Sequence, residues 1–227
     1  MPEWIAAFWH QYGAMLADGV AKTLIMTGTS TLFAYILGLP LGVLLVITQP
    51  HGIWPHRTFN AVLGWLVNIF RSLPFIILIV SIIPFTKAVV GTYIGVRGAI
   101  VPLVVASAPF VARMVENSLS EVDGGVVEAV QSMGATVPQI VFKVYLPEAA
   151  PSLVLGASIS LISILGYSAI AGTVGAGGLG DIAKRYGFDR GQTDVMWVTV
   201  AFLVLLVQAV QSMFSVISKK MDKRIRQ

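Results

Sequence analysis

The side chains with chemical potential are few and scattered. Cysteine is absent, so disulfides, thiol nucleophiles and thiolate metal ligands are excluded. His10, His51 and His56 show no metal-ligand spacing. The ionisable residues within apolar stretches do not cluster as a catalytic site requires, so no catalytic and no metal-binding residue is expected. Gly175-Ala176-Gly177-Gly178-Leu179-Gly180 satisfies G-x-G-x-x-G letter for letter. Dinucleotide binding by such a loop needs a preceding strand, a following helix and an acidic residue about 20 positions on. Here a long apolar segment precedes it, so the glycines are expected to form a tight turn of unusual backbone angles. Gly175 and Gly180 also have P-loop spacing, but Asp181 stands where a lysine must follow. Nucleotide chemistry of that kind would have to reside on another chain.

The elements that position these residues follow from composition. The chain has 227 residues, of which 56% are hydrophobic and 11% charged, and a mean hydropathy of +0.82. A soluble domain carries about 25% charged residues, so most of this surface faces something other than water. The net charge of +4 gathers at the C-terminus and forms no basic face for nucleic acid. A bilayer core of about 30 Å needs about 20 helical residues. Five runs are long enough: near 20–47, with a break at Gly38-Leu39-Pro40-Leu41-Gly42; near 59–85, interrupted by Asn68, Arg71 and Pro74; near 99–119; near 149–172; and near 195–217. The runs do not alternate as barrel strands do, so the fold class is all-α, one membrane domain over residues 1–227. The first run lacks the pattern of a cleaved leader and reads as a span. The eight methionines and five tryptophans read as lipid-facing or interfacial. The tail 219–226 holds five basic residues, which places the C-terminus in the cytoplasm. Five spans then put the N-terminus outside and make 120–148 a cytoplasmic loop. Lys184, Arg185 and Arg190, in the external 173–194 loop, run against that rule.

The 120–148 loop is too polar to span and too patterned for a linker. Val126, Val127, Val130 and Met133 share one face of a short helix. Gly134 stands where a helix-ending glycine belongs, Thr136 and Gln139 form a capping box, and Leu146-Pro147 ends the second helix. The result is a compact helix–Gly–helix knob, which has a use only if something receives it.

Glu128-Ala129-Val130, then Gly134, then Val144-Tyr145-Leu146-Pro147 resembles the Glu-Ala-Ala motif of ABC importer permeases in spacing throughout, with Val130 and Val144 as apolar departures. The wider runs around Asn68–Leu78, Ala108–Asn117, Met133–Thr136, Gly166–Ala169 and Val174–Gly180 resemble the D- and L-methionine ABC importer permeases, over roughly residues 20–218. That resemblance implies a type I ABC importer permease fold: a homodimer of five-span subunits in the bacterial inner membrane. It implies two cytoplasmic ATPase subunits carrying ATP and Mg²⁺, with no cofactor on this chain, and an external methionine-binding lipoprotein. It makes the knob a coupling element gripped by the ATPase, through Glu128, Ala129, Gly134, Ala135, Leu146 and Pro147. Asn68, Arg71, Tyr167, Ser168 and Ile170 become candidates for the translocation path, with Ile170 as an apolar plug on the dimer axis.

Several residues keep two readings. Arg71 either lines the route or snorkels from a misplaced boundary. Arg113 and Glu116, three apart on one helix, are expected to pair and to be structural. Ser152, Gly156 and Ser160 give the fourth run small-xxx-small spacing, serving either close packing or a polar lining along with Ser158, Ser163 and Ser168. Rival functions are a permease for another small amino acid, an ATPase-independent channel or carrier, and a membrane enzyme. The last two suffer from the absence of an internal repeat and of mid-span acids.

Overall fold

The computed structural model describes residues 3–221. Among these there is no strand. The elements are α1 (Glu3–Ile47), α2 (Arg57–Ser72), α3 (Phe75–Ser81), α4 (Ile83–Val90), α5 (Gly95–Ser120), α6 (Gly124–Ser132), α7 (Val137–Ile140), α8 (Leu146–Glu148), α9 (Ala150–Ala171), α10 (Gly178–Ile182) and α11 (Thr193–Met221). Helices α1, α5, α9 and α11 are each long and apolar enough to cross a membrane; α2 and α3 pass that test only together, as a bent pair that is either a broken span or a re-entrant loop.

Three spans lie close to their expected bounds, and two need correction. The first helix begins at Glu3 and passes through Pro40 without interruption. Gly38 and Gly42 are explained by packing: a Cβ on either would lie 2.7 or 2.6 Å from the carbonyl oxygen of Ala108 or Ala112 on α5. A long helix held along one side by such close contact keeps its course where a proline deletes one donor. The 59–85 run is divided among α2, α3 and α4. Leu73 is extended (ψ 123°), as a residue before proline prefers, and that ends α2. Among the methionines, Met26 is fully buried and faces no lipid. Of the basic tail, Lys219 and Lys220 close α11, while Lys223, Arg224 and Arg226 lie outside the described residues.

The described chain groups into two compact units. The first holds residues up to Thr31, with Pro74–Val104 and Leu161–Ala209. Its core gathers Leu16, Ile182 and Val195, ringed by Phe8, Tyr12, Tyr186 and Phe202. Here the segment after α9 does more than turn. A kinked π-helical turn, Gly172–Ala176, leads into α10, and a second wide turn follows at Ala183–Phe188. Helix α10 is buried along its whole length. The second unit holds Leu32–Leu73, Val105–Ser160 and the residues from Val210. Its core is Leu45, Val67 and Ala112, with Leu41 and Leu63 packed on it.

Candidate functional site: the lever and the path residues

The knob of the second unit is built locally. The Asp123 carboxylate accepts the Gly125 N–H at 2.8 Å and caps α6. The helix ends at Met133, and Gly134 takes φ +81°, the left-handed conformation that closes a helix at little steric cost only for glycine. The Thr136 N–H donates to Gln139 Oε1 at 2.8 Å, the backward arm of the expected capping box. Leu146-Pro147 does not stop the second helix. The Leu146 N–H donates five residues back to the Val141 carbonyl through a π-helical turn, and Pro147 sits in the first turn of α8, where its missing donor costs nothing.

The apolar face of α6 is only half used. Val127 is buried and Val130 half-buried, but Val126 is 44% and Met133 77% exposed. Phe142 is also exposed, at 68%. Burying such side chains is worth about 2 kcal/mol each, so their exposure on a well-capped helix pair marks a contact surface. Glu128 and Ala129 are exposed beside them, with Pro147; Ala135 and Leu146 are half-buried. Behind the knob Ile140, Val144 and Tyr145 are buried, and burial pushes the Tyr145 phenol above its ordinary pKa.

The path candidates do not converge. In the second unit Asn68 is engaged: its Oδ1 accepts from Arg113 Nη2 at 3.0 Å, and the same nitrogen donates to the Gly64 carbonyl at 3.1 Å. Arg113 Nη1 also pairs with Glu116, as the spacing predicts. Arg71 occupies the exposed last turn of α2 and has no ion-pair partner among the described residues. Ser152 donates to Ser118 at 3.1 Å, and Ser160 returns its proton to the Gly156 carbonyl at 2.8 Å. A Cβ on Gly156 would meet Met114 at an ordinary 3.6 Å, so the small-residue face packs on α5.

In the first unit Tyr167 stacks on Phe75, with ring centroids 4.9 Å apart and planes 18° apart. Ser168 is buried and donates to the Leu165 carbonyl of its own helix at 2.7 Å. Ile170 is 38% exposed and borders a shallow apolar groove of about 390 Å³ with Thr173, Phe188 and Leu203.

The glycine run carries no dinucleotide geometry, since helices flank it on both sides. A Cβ on Gly178 would lie 2.7 Å from Thr23 Oγ1, and the Leu179 N–H donates to that oxygen at 2.9 Å. The Asp181 carboxylate, 8% exposed, takes both Nε and Nη2 of Arg185 in a forked pair, which raises the arginine pKa. Arg113's links to α2 and the burial of α10 escape a linear reading, because the partners lie 45 to 156 residues away.

Known proteins share this arrangement. The model of the binding-protein-dependent transport system inner membrane component family matches residues 34–227. A probable D-methionine transport system permease protein of Vibrio cholerae is 47% identical over 97% of this chain and 98% of its own length. The methionine import system permease protein of Bacillus subtilis is 44% identical over 80% of this chain and 82% of its own. A chain of the MetNI methionine ABC transporter, solved in inward-facing conformations, superposes with a TM-score of 0.93 at 48% identity, covering 94% of this chain and 99% of that one. By family model, sequence identity and superposition, the chain belongs to the binding-protein-dependent transport system inner membrane components, the multi-pass permease subunits of ABC importers.

Proposed function

We propose that this chain, as one permease domain, pairs with a second copy to form the path by which an ATP-driven importer takes up methionine. The observation that carries the reading is the capped lever bearing Glu128, Met133 and Gly134 on an exposed surface. A stiff projection of this kind suits a groove in a second protein. That protein is a cytoplasmic ATPase in two copies, which binds ATP and Mg²⁺. An external methionine-binding lipoprotein delivers the substrate. Lys219 and Lys220 in the last turn of α11 support a cytoplasmic C-terminus and an external N-terminus. The choice of methionine is supported by what the relatives are named for, since no residue set here selects a thioether.

In this mechanism the ATPase dimer closes, moves α6 and α7 as one body, and tilts the spans joined to them. Helix α9 and part of α2 line the path. Glu128 anchors the lever, with Ala129, Gly134, Ala135, Leu146 and Pro147 shaping it. Ile170, beside Tyr167 and Ser168, supplies an apolar constriction that opposes leakage between cycles.

The test is uptake of labelled methionine by proteoliposomes holding the permease, ATPase and binding protein. ATP-dependent uptake is expected. Uptake without ATP overturns the importer reading, and preference for another amino acid overturns the substrate. Glu128→Ala and Gly134→Asp are expected to release the ATPase in a pull-down while membrane insertion persists. Full retention by both overturns the lever.

A further inference from the structure

We infer that Arg113 is the strut that passes lever motion from α5 to α2, an inference that rests on the transport function proposed above. Helix α5 runs into the lever, ending at Ser120 just before the Asp123 cap of α6. Within its cytoplasmic half Arg113 divides its donors between two helices. Nη1 pairs with Glu116 on α5, and Nη2 reaches the Gly64 carbonyl and Asn68 Oδ1 on α2, at 3.1 and 3.0 Å. Among the described residues every hydrogen bond between α2 and α5 runs through this side chain.

The apolar contact beside it is shared with α1: Val67 of α2 and Ala112 of α5 meet Leu45 in one buried core. A groove of about 470 Å³ also opens there, walled by Ile36 and Pro40 of α1, Leu66 and Phe70 of α2, and Val105 and Pro109 of α5. Apolar contact is non-directional, whereas a fork of charge-assisted bonds adds geometric specificity. The guanidinium and carboxylate are only 22% and 14% exposed, so water competes poorly for them. Arg113 therefore acts as a positioning residue. Asn68, placed on the translocation path by resemblance, becomes the far end of the strut.

The absence of cysteine lets single introduced cysteines report alone. In the whole complex, spin labels at Ser132→Cys follow the lever and labels at Ser72→Cys follow the end of α2. Each is read as the distance between protomers, before and after trapping with a non-hydrolysable ATP analogue and Mg²⁺. Both distances are expected to shift in the otherwise unsubstituted complex. Arg113→Lys keeps the charge opposite Glu116, but its single ammonium cannot reproduce the fork. It is expected to keep the lever shift, halve the Ser72 shift to about one half, and lower methionine transported per ATP about fivefold with KM unchanged. Asn68→Leu is expected to act in the same direction, and it guards against a folding defect of the arginine variant.

An undiminished Ser72 shift in both variants overturns the strut alone. So does a proportional loss of both shifts, which marks a merely structural role. A raised KM with transport per ATP unchanged also overturns it, and returns Asn68 to the path. A lever label that stays still in the unsubstituted complex overturns the transport reading, and the strut with it.

Discussion

Two glycine-bearing turns invite comparison, the lever at Gly134 and the segment after α9 at Gly172–Gly180. Both contain glycine at positive φ, and both join helices. Their surroundings differ completely. A Cβ on Gly180 would overlap the Ala169 carbonyl oxygen, and one on Gly172 would lie 2.6 Å from the Asp181 nitrogen. A Cβ on Gly134 would meet nothing within 4 Å. Glycine in the segment after α9 is demanded by neighbours already present. In the lever it is demanded by the backbone angle alone, and the space above it is open. One turn is filled within its own unit; the other is the one that the proposed mechanism gives to a partner.

The sharpest break in that comparison is Gly180→Ala. The new methyl meets backbone that cannot yield, so a loss of about 3 kcal/mol or more is expected. It is read as collapse of yield and a lower Tm of the detergent-solubilised protein. Gly134→Ala meets no clash and suffers only the left-handed φ, about 1 kcal/mol. Gly134→Asn should recover part of that, since asparagine tolerates the conformation better. If Gly134→Ala destabilised the isolated chain as much as Gly180→Ala, the lever would be packed and the contrast false.

A smaller effect follows from Tyr145 behind the lever. Burial raises its phenol pKa, so the folded state disfavours the anion. Stability from this group is whole below the unfolded value of about 10 and is lost as pH rises from there through the raised folded value. Thermal melts between pH 9 and 11 should show this alkaline loss, and Tyr145→Phe should remove it. The smallest change is Glu128→Ala. On so exposed a residue it should leave the stability of the isolated permease within about 0.5 kcal/mol, while ATPase capture falls.

What a linear reading could see follows from how local each feature is. The lever was legible because its determinants sit within a few residues of one another, Thr136 with Gln139 and Gly134 between the helices; the Asp123 cap on Gly125, equally local, went unread. The prolines misled, since Pro40 reads as a break and Pro147 as a stop. Close contact with α5 carries α1 past the first, and the second falls in an opening turn that needs no donor. Gly38 and Gly42 looked like backbone punctuation and are packing surfaces. The burial of α10 depends on Thr23, 156 residues earlier, and the role of Asn68 depends on Arg113, 45 residues later. Nothing near either residue announces such a partner. Met133 shares a face of α6 with the buried Val127 yet is exposed, because periodicity marks a stripe without saying how far that stripe is covered.

Helix α1 has 45 residues, a rod of about 67 Å at 1.5 Å per residue. That is more than twice the depth of a hydrocarbon layer of about 30 Å. A helix of that length cannot lie wholly inside the layer, so some of its turns stand in the headgroup zone or in water. Its opening turns, which carry His10, Gln11 and Asp18, suit that wetter position and leave the later apolar turns to the hydrocarbon.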